Sequence, residues 1–502
     1  MSSTQPGTLL GQRLIVVLLV GVAAMSLFAI QQGVTMGLAM PFGLVALTLL
    51  FIKPNIGTLL FIALAYMNAP VLLGRLVGSP QTVAMGVTAL LGIPIAAHLV
   101  KRRGLVVDYT FLLMLVFLGS LFGSSFLAVD TRVAFAWVTT FLVEGVLLYF
   151  LLLNAIRDLR TLRAAIWMLV LVSAFLSSLG LYQEVSGNHH AQFGGLAQRN
   201  TEREPDGETP ASRRERTTVY VGDRAAGPMN GPNRFAQILI IVLPLAFFRI
   251  RDERSGLARL VALGCLLLIL VGVFITYSRG TFLALVAMMM VMVALKYIPW
   301  WQMVFGGLLL GVIVTLAAPG FMERIDTMRT LPQLLTQRDT VEGHGAIRGR
   351  LTEMLAGIHV FMDYPVLGVG PGQYMLFYSQ KYMANPEISF REINKGRRAH
   401  CLYAELAAET GLVGMCLFLA IVGTVLARLW RLRSSLQRTK PELANLAFAL
   451  WLGLFGYLTT AVFLQLAYQR YFWLYLALAG AAVQLLENAR RELAAQRSPT
   501  AI

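Results

Sequence analysis

Long apolar runs separated by short basic linkers dominate the chain. Each run is about 20 residues, the length of helix that crosses a bilayer, and the runs recur from end to end. They predict about 14 spans (12–14), near 14–30, 34–52, 55–73, 80–100, 109–129, 133–154, 163–184, 231–248, 257–277, 281–298, 300–319, 400–427, 443–466 and 469–487. The expected fold class is an all-α integral membrane protein of about 14 transmembrane helices. Residues 14–30 read as the first span, since they lack a clear small-x-small cleavage site.

Polar stretches divide this pattern. Residues 1–230 hold the N-terminal helices and end in a polar loop, 185–230. Residues 231–427 form a central core around a second long loop, 320–399, and residues 428–502 hold the last helices and a tail. The first loop is rich in Gly, Pro, Glu and Arg, and its part 199–217 is expected to be mobile. In the second, Leu351, Met354, Leu355, Ile358 and Met362 recur at helical spacing and predict an amphipathic helix over 347–362 lying on the membrane domain. Pro365, Gly368, Gly370, Pro371 and Gly372 then predict a rigid, turn-rich segment.

Composition agrees. The chain is 57% apolar and only 14% charged, with mean hydropathy +0.67, whereas soluble domains carry roughly 25% charged residues. The net charge of +16 would suit a nucleic-acid binder if it formed one surface. It does not, and no nucleic-acid partner is expected. The charges sit in Lys101-Arg102-Arg103, in Arg157, Arg160 and Arg163, in Arg249, Arg251, Arg254 and Arg259, in Arg428, Arg431, Arg433, Arg438 and Lys440, and in Arg490, Arg491 and Arg497. With about 14 spans every cluster falls on one side, the cytoplasmic side by the positive-inside rule. Both termini are then cytoplasmic and both long loops lie outside, in the periplasm of a Gram-negative cell. The three cysteines, Cys265, Cys401 and Cys416, match no metal or redox spacing and read as buried small hydrophobes.

Chemistry-bearing residues gather on the outer side. Arg279 stands in Thr276-Tyr277-Ser278-Arg279-Gly280 between two apolar runs, Arg348 and Arg350 open the amphipathic helix, His400 follows Arg397-Arg398-Ala399, and Arg470 begins the last span. An arginine at a helix end ordinarily snorkels to lipid phosphate, and a histidine there can simply cap. Together, beside lipid headgroups, they make a cationic patch suited to a diphosphate. If His400 belongs to a regular helix, Glu405 and Glu409 fall about 140° and 180° away from it, so a carboxylate partner must come from another element. Glu144, inside an apolar run, reads equally as a transport residue or as a structural hydrogen-bonding group. There is no Asp-x-Asp, Walker loop, Gly-x-Ser-x-Gly or His-Glu-x-x-His, so metal-held nucleotide-sugar, ATP and zinc chemistry have no visible support. No cofactor and no metal are expected. A flippase or other transporter would predict repeated halves and several mid-membrane charges, and neither is seen beyond Glu144.

Four segments resemble the superfamily of O-antigen ligases and O-antigen polymerases, GT-C-type membrane glycosyltransferases. They are Gly231-Pro232-Asn233-Arg234-Phe235-Ala236; Tyr277-Ser278-Arg279-Gly280; Arg350 with Asp363-Tyr364-Pro365-Val366-Leu367-Gly368-Val369-Gly370; and Ala399-His400-Cys401-Leu402-Tyr403 running to Glu409-Thr410-Gly411-Leu412-Val413-Gly414. The chain departs from the family where Cys401 follows His400 in place of the frequent Asn, and where Met354 stands at a frequent Trp. The resemblance implies transfer of a glycan from an undecaprenyl-diphosphate carrier to an acceptor, either a glycolipid (ligase) or a second lipid-linked glycan (polymerase). It implies a metal-independent inverting reaction at the periplasmic face of the bacterial inner membrane. The catalytic residues would be Arg279, Arg350 and His400, with Arg348, Arg470, Tyr277 and Asn233 supporting the diphosphate.

Overall fold

The computed structural model describes residues 53, 55–77, 80–101, 104–200, 224–229, 231–317, 345–388, 396–464 and 470–497. The expected spans near 14–30 and 34–52, and most of the stretch expected to be mobile, lie outside them. The described chain is almost wholly helical. In order the helices are α1 (Asn55–Tyr66), α2 (Ala69–Val77), α3 (Pro80–Ala89), α4 (Gly92–Val100), α5 (Tyr109–Ser125), α6 (Thr131–Ala155), α7 (Leu159–Ser186), α8 (Pro232–Asp252), α9 (Gly256–Phe274), α10 (Arg279–Ala294), α11 (Trp300–Ala317), α12 (Gly345–Asp363), α13 (Ser379–Met383), α14 (Leu402–Leu436), α15 (Pro441–Thr460) and α16 (Arg470–Arg497). Seven of them, α6, α7, α8, α9, α14, α15 and α16, are long and apolar enough to cross a membrane.

The expected spans 55–73 and 80–100 each fall into two short helices. The run 55–73 divides into α1 and α2 where Asn68 takes a left-handed φ of 60°, a conformation Asn tolerates and most residues avoid. The run 80–100 divides into α3 and α4 at Leu90 and Leu91. Helix starts follow local chemistry: Asp108, Asp130 and Asp158 cap α5, α6 and α7 by accepting backbone N–H groups of the first turn.

The helices α5, α12, α15 and α16 all pack against α14. Aromatic side chains fill the centre, with Phe141 and Trp473 rings 5.0 Å apart and Phe418 against Phe472 at 5.8 Å. The basic linkers converge at one end: Arg163 and Arg254 both reach Glu442, at 3.2 and 3.8 Å. Glu144 lies in a widened π-turn, Leu142–Leu147, inside α6, and the charge of Arg470 acts on it.

The opposite end carries the loop structure. There Gln198–Asn200 (β1) pairs antiparallel with Arg224–Gly227 (β2), Asn200 opposite Arg224. This ribbon closes the base of the first polar loop, and it corrects the expectation for Arg199, which is buried and paired with Glu184 at 2.5 Å. The amphipathic helix exists as α12, yet it buries Thr352, Glu353, Ala356 and Val360, whereas Ile358 and Met362 face outward. Small side chains win the packed face because α12 lies close against α14: a Cβ on Gly357 would touch Ala399 and Ala404. Cys265 and Cys401 are buried, and Cys416 is exposed rather than buried.

The helix α14 is not regular. Gly411 sits at φ 62°, ψ −164°, and interrupts it. The freed groups are paired by the turn-rich segment: Leu412 and Val413 donate to the carbonyls of Pro365 and Val366 at 2.7 and 3.2 Å, and Val369 and Gly370 donate to those of Ala408 and Glu409 at 3.0 and 2.9 Å. A helix broken at a buried position needs such substitutes, because its freed N–H and C=O groups are otherwise left unpaired. The loop is thereby stitched onto the helix that carries His400 at its start.

Candidate active site

The cleft forms where several helix ends meet. After α9 the chain turns through Tyr277, at φ 52°, and α10 begins at Arg279. The strand β2 is hydrogen-bonded to this turn: Ala225 N donates to Ile275 O at 3.2 Å, and Arg224 Nε donates to Thr276 O at 2.8 Å. A second Arg224 nitrogen donates to Asn233 Oδ1 at 2.8 Å, from the first turn of α8. Arg350 enters from α12. These groups line one open cleft, with Arg224, Asn233, Tyr277, Arg279 and Arg350 on its polar side and Phe463 and Leu464 on its apolar side. Three guanidinium groups therefore converge although Arg224, Arg279 and Arg350 are far apart in sequence. The planar fork of each matches phosphate oxygens, and Arg279 stands at a helix N-terminus, where the dipole favours an anion.

His400 does not line this cleft; its link to it is Arg350, which lines the cleft and whose charge acts on the imidazole. It takes a left-handed φ of 48°, and Cys401 is extended, so α14 begins only at Leu402. The helical projection from His400 therefore does not apply. Its carboxylate neighbour comes from another element, as the projection required for other reasons: Nε2 lies 3.4 Å from Oε2 of Glu353 on α12. Burial, then the charges of Arg350, Arg397, Arg234 and Arg398, push the imidazole down to about 3. His400 is thus neutral at physiological pH.

The segment before His400 is anchored. Arg398 donates through Nε to Glu405 at 2.9 Å and pairs through its second nitrogen, Ala399 N donates to the other Glu405 oxygen at 3.1 Å, and the Arg398 guanidinium stands 5.3 Å over the Trp137 ring. Glu405 reaches back from the first turn of α14, where a carboxylate is favoured.

Other expected site residues separate. Tyr277 and Asn233 line the cleft with Arg279 and Arg350. Arg348 does not; two residues from Arg350, it points roughly 160° away around α12. Arg470 does not line the cleft either. It donates to Asn68 Oδ1, and Asn68 in turn donates to Pro228 O at 2.7 Å, so Arg470 braces the turn after β2.

Sequence reasoning missed Arg224, which lies outside the four motif segments, at the end of a loop whose arginines looked alike. It also missed Glu353, since an acid on an amphipathic helix reads as its solvated face. Arg397 and Arg398 were visible as a pair before His400, without any signal for their partners.

Residues 264–419 match the family model described as O-antigen ligase. No curated protein matches the chain. The matched segment contains Arg279, Arg350 and His400 and stops short of Arg224 and Asn233. This match, together with a helical membrane architecture and the segment order within it, supports membership of the chain in the superfamily of O-antigen ligases and polymerases.

Proposed function

We propose that the protein transfers a glycan from an undecaprenyl-diphosphate carrier to an acceptor hydroxyl at the periplasmic face of the inner membrane. The observation that carries this reading is the convergence of Arg224, Arg279 and Arg350 on one cleft, with Arg350 linking it to His400. Cleaving a glycosyl diphosphate builds negative charge on the leaving group, and three fixed guanidiniums can stabilise that charge. The acceptor hydroxyl attacks the anomeric carbon as the carbon–oxygen bond to the diphosphate breaks. The bonding electrons leave with the diphosphate, and the hydroxyl proton passes to neutral His400. One displacement inverts the anomeric centre.

Ligase and polymerase share this donor chemistry, and the ligase reading is the one put forward. The test replaces Arg279, Arg350 and His400 singly by Ala and measures glycan transfer at matched protein levels. Loss in each supports the assignment, and full activity in all three removes it. The polysaccharide of a deletion strain separates the two outcomes: loss of lipopolysaccharide-attached glycan means ligase, and accumulation of single repeats means polymerase.

A further inference from the structure

We propose that Glu353 is the positioning residue for the base: it accepts the Nε2 proton of His400 and so leaves Nδ1 as the nitrogen that takes the acceptor's proton. This rests on the functional reading above and adds to it a role for a residue no motif names.

The geometry is specific. Glu353 is only 1% exposed, and a buried carboxylate is costly unless each oxygen finds a partner. One oxygen lies 3.7 Å from Arg397 and the other 3.4 Å from His400 Nε2. The second contact is within ion-pair distance but not aligned as a hydrogen bond, and catalytic contacts are often long or poorly aligned before substrate binds. Glu353 stands one turn after Arg350 on α12, so both occupy the same face of one rigid helix. That helix thereby sets the spacing between the diphosphate ligand and the group orienting the base. Tyr374 holds this turn by donating to Glu353 O at 2.7 Å, and burial pushes its phenol up, keeping it a donor.

The electrostatics need such a group. A proton arriving on His400 creates a cation already surrounded by Arg234, Arg350, Arg397 and Arg398. Glu353 faces the ring at 3.4 Å and offsets that charge, and the hydrogen bond it accepts as the contact tightens around substrate selects the tautomer. The proton leaving the acceptor oxygen is taken at Nδ1, the Nε2 proton stays shared with Glu353, and nothing further is required for balance.

The experiment uses the full chain in proteoliposomes with the host cell's own lipid-linked glycan as donor, and undecaprenyl diphosphate as the binding probe. Glu353→Gln is nearly isosteric and removes the charge. It should lower kcat by on the order of 100-fold and leave undecaprenyl-diphosphate binding unchanged, with both read well below the melting temperature of variant and parent. Glu353→Asp keeps the charge and should recover part of the rate. In a His400→Ala background, Glu353→Gln should cost nothing more, because a residue acting through His400 has nothing left to act on. Azide needs no deprotonation, so transfer to azide should survive in both variants. An equal further loss in the His400→Ala background, or wild-type kcat in Glu353→Gln, overturns the role of Glu353. Full glycan transfer by His400→Ala alone would instead overturn the functional reading beneath it.

Discussion

The backbone of Gly411 lies directly against the carbonyl group of Val366, so closely that a Cβ on Gly411 would run into it. Gly368 meets the Glu409–Thr410 peptide in the same way. The two contacts fasten the turn-rich segment to the interruption in α14, and His400 stands at the head of that helix.

Gly411→Ala should therefore destabilise the protein. The left-handed, extended conformation alone costs a non-glycine residue about 1–3 kcal/mol, and the Val366 contact adds to it. A lowered melting temperature in detergent, with transfer falling in step, is the expected result. A variant that melts like the parent would show that the segment yields without strain.

Arg224→Ala should weaken the donor site although Arg224 lies outside the family match. A hydrogen bond to a charged group contributes about 1.5–3 kcal/mol, equivalent to roughly 10- to 100-fold in kcat/KM. Steady-state kinetics against lipid-linked donor measures it. Equal kcat/KM in variant and parent would exclude Arg224 from diphosphate binding.

The pH response follows from His400. With the imidazole held down to about 3, activity should show no histidine limb near the unperturbed value of about 6.5. Arg397→Gln removes one repelling cation, so the imidazole should rise, although burial and the remaining arginines still hold it below its unperturbed value; NMR titration of the ring measures the change. Stability has a definite sign as well. Between about 6.5 and 3 the unfolded chain binds a proton that folded His400 refuses, so folding weakens as pH falls through that window. A wild-type pH–rate profile with an acid limb at 6.5 that disappears in His400→Ala would contradict the depressed value.

Glu405→Gln should strand Arg398, whose side chain is only 18% exposed. Removing one partner of a largely buried ion pair costs on the order of 3 kcal/mol. Thermal melting should show it, and the double change Glu405→Gln with Arg398→Leu should recover part of the loss. Failure of the second change to recover anything would mean that Glu405 acts through the Ala399 N–H instead.

Much of this was legible along the chain. Bilayer thickness imposes a length on every apolar run, so the helical membrane class and the positions of seven long apolar helices could be read without coordinates. Arg279 stood out as a cation between two apolar runs, and Arg350 and His400 through their place on the outer side and the motif segments that carry the family resemblance. The division of the spans at Asn68 and at Leu90–Leu91 could not be read that way, because an apolar run looks the same whether its helix continues or turns. The packed face of α12 was misjudged for a related reason: hydrophobic spacing identifies an amphipathic face, but close approach to α14 rewarded small residues and a paired carboxylate instead.

The amino-acid order by itself determined a helical membrane protein with arginines and histidines, His400 among them, in its polar connections, because transfer free energy and helical periodicity act locally. Only the tertiary structure decided that Arg224 joins Arg279 and Arg350, that Arg470 braces Asn68 instead, and that Glu353 faces His400. Those pairings depend on which helix ends meet in space, and an orientation about a helix axis is set by packing against neighbours far away in the chain.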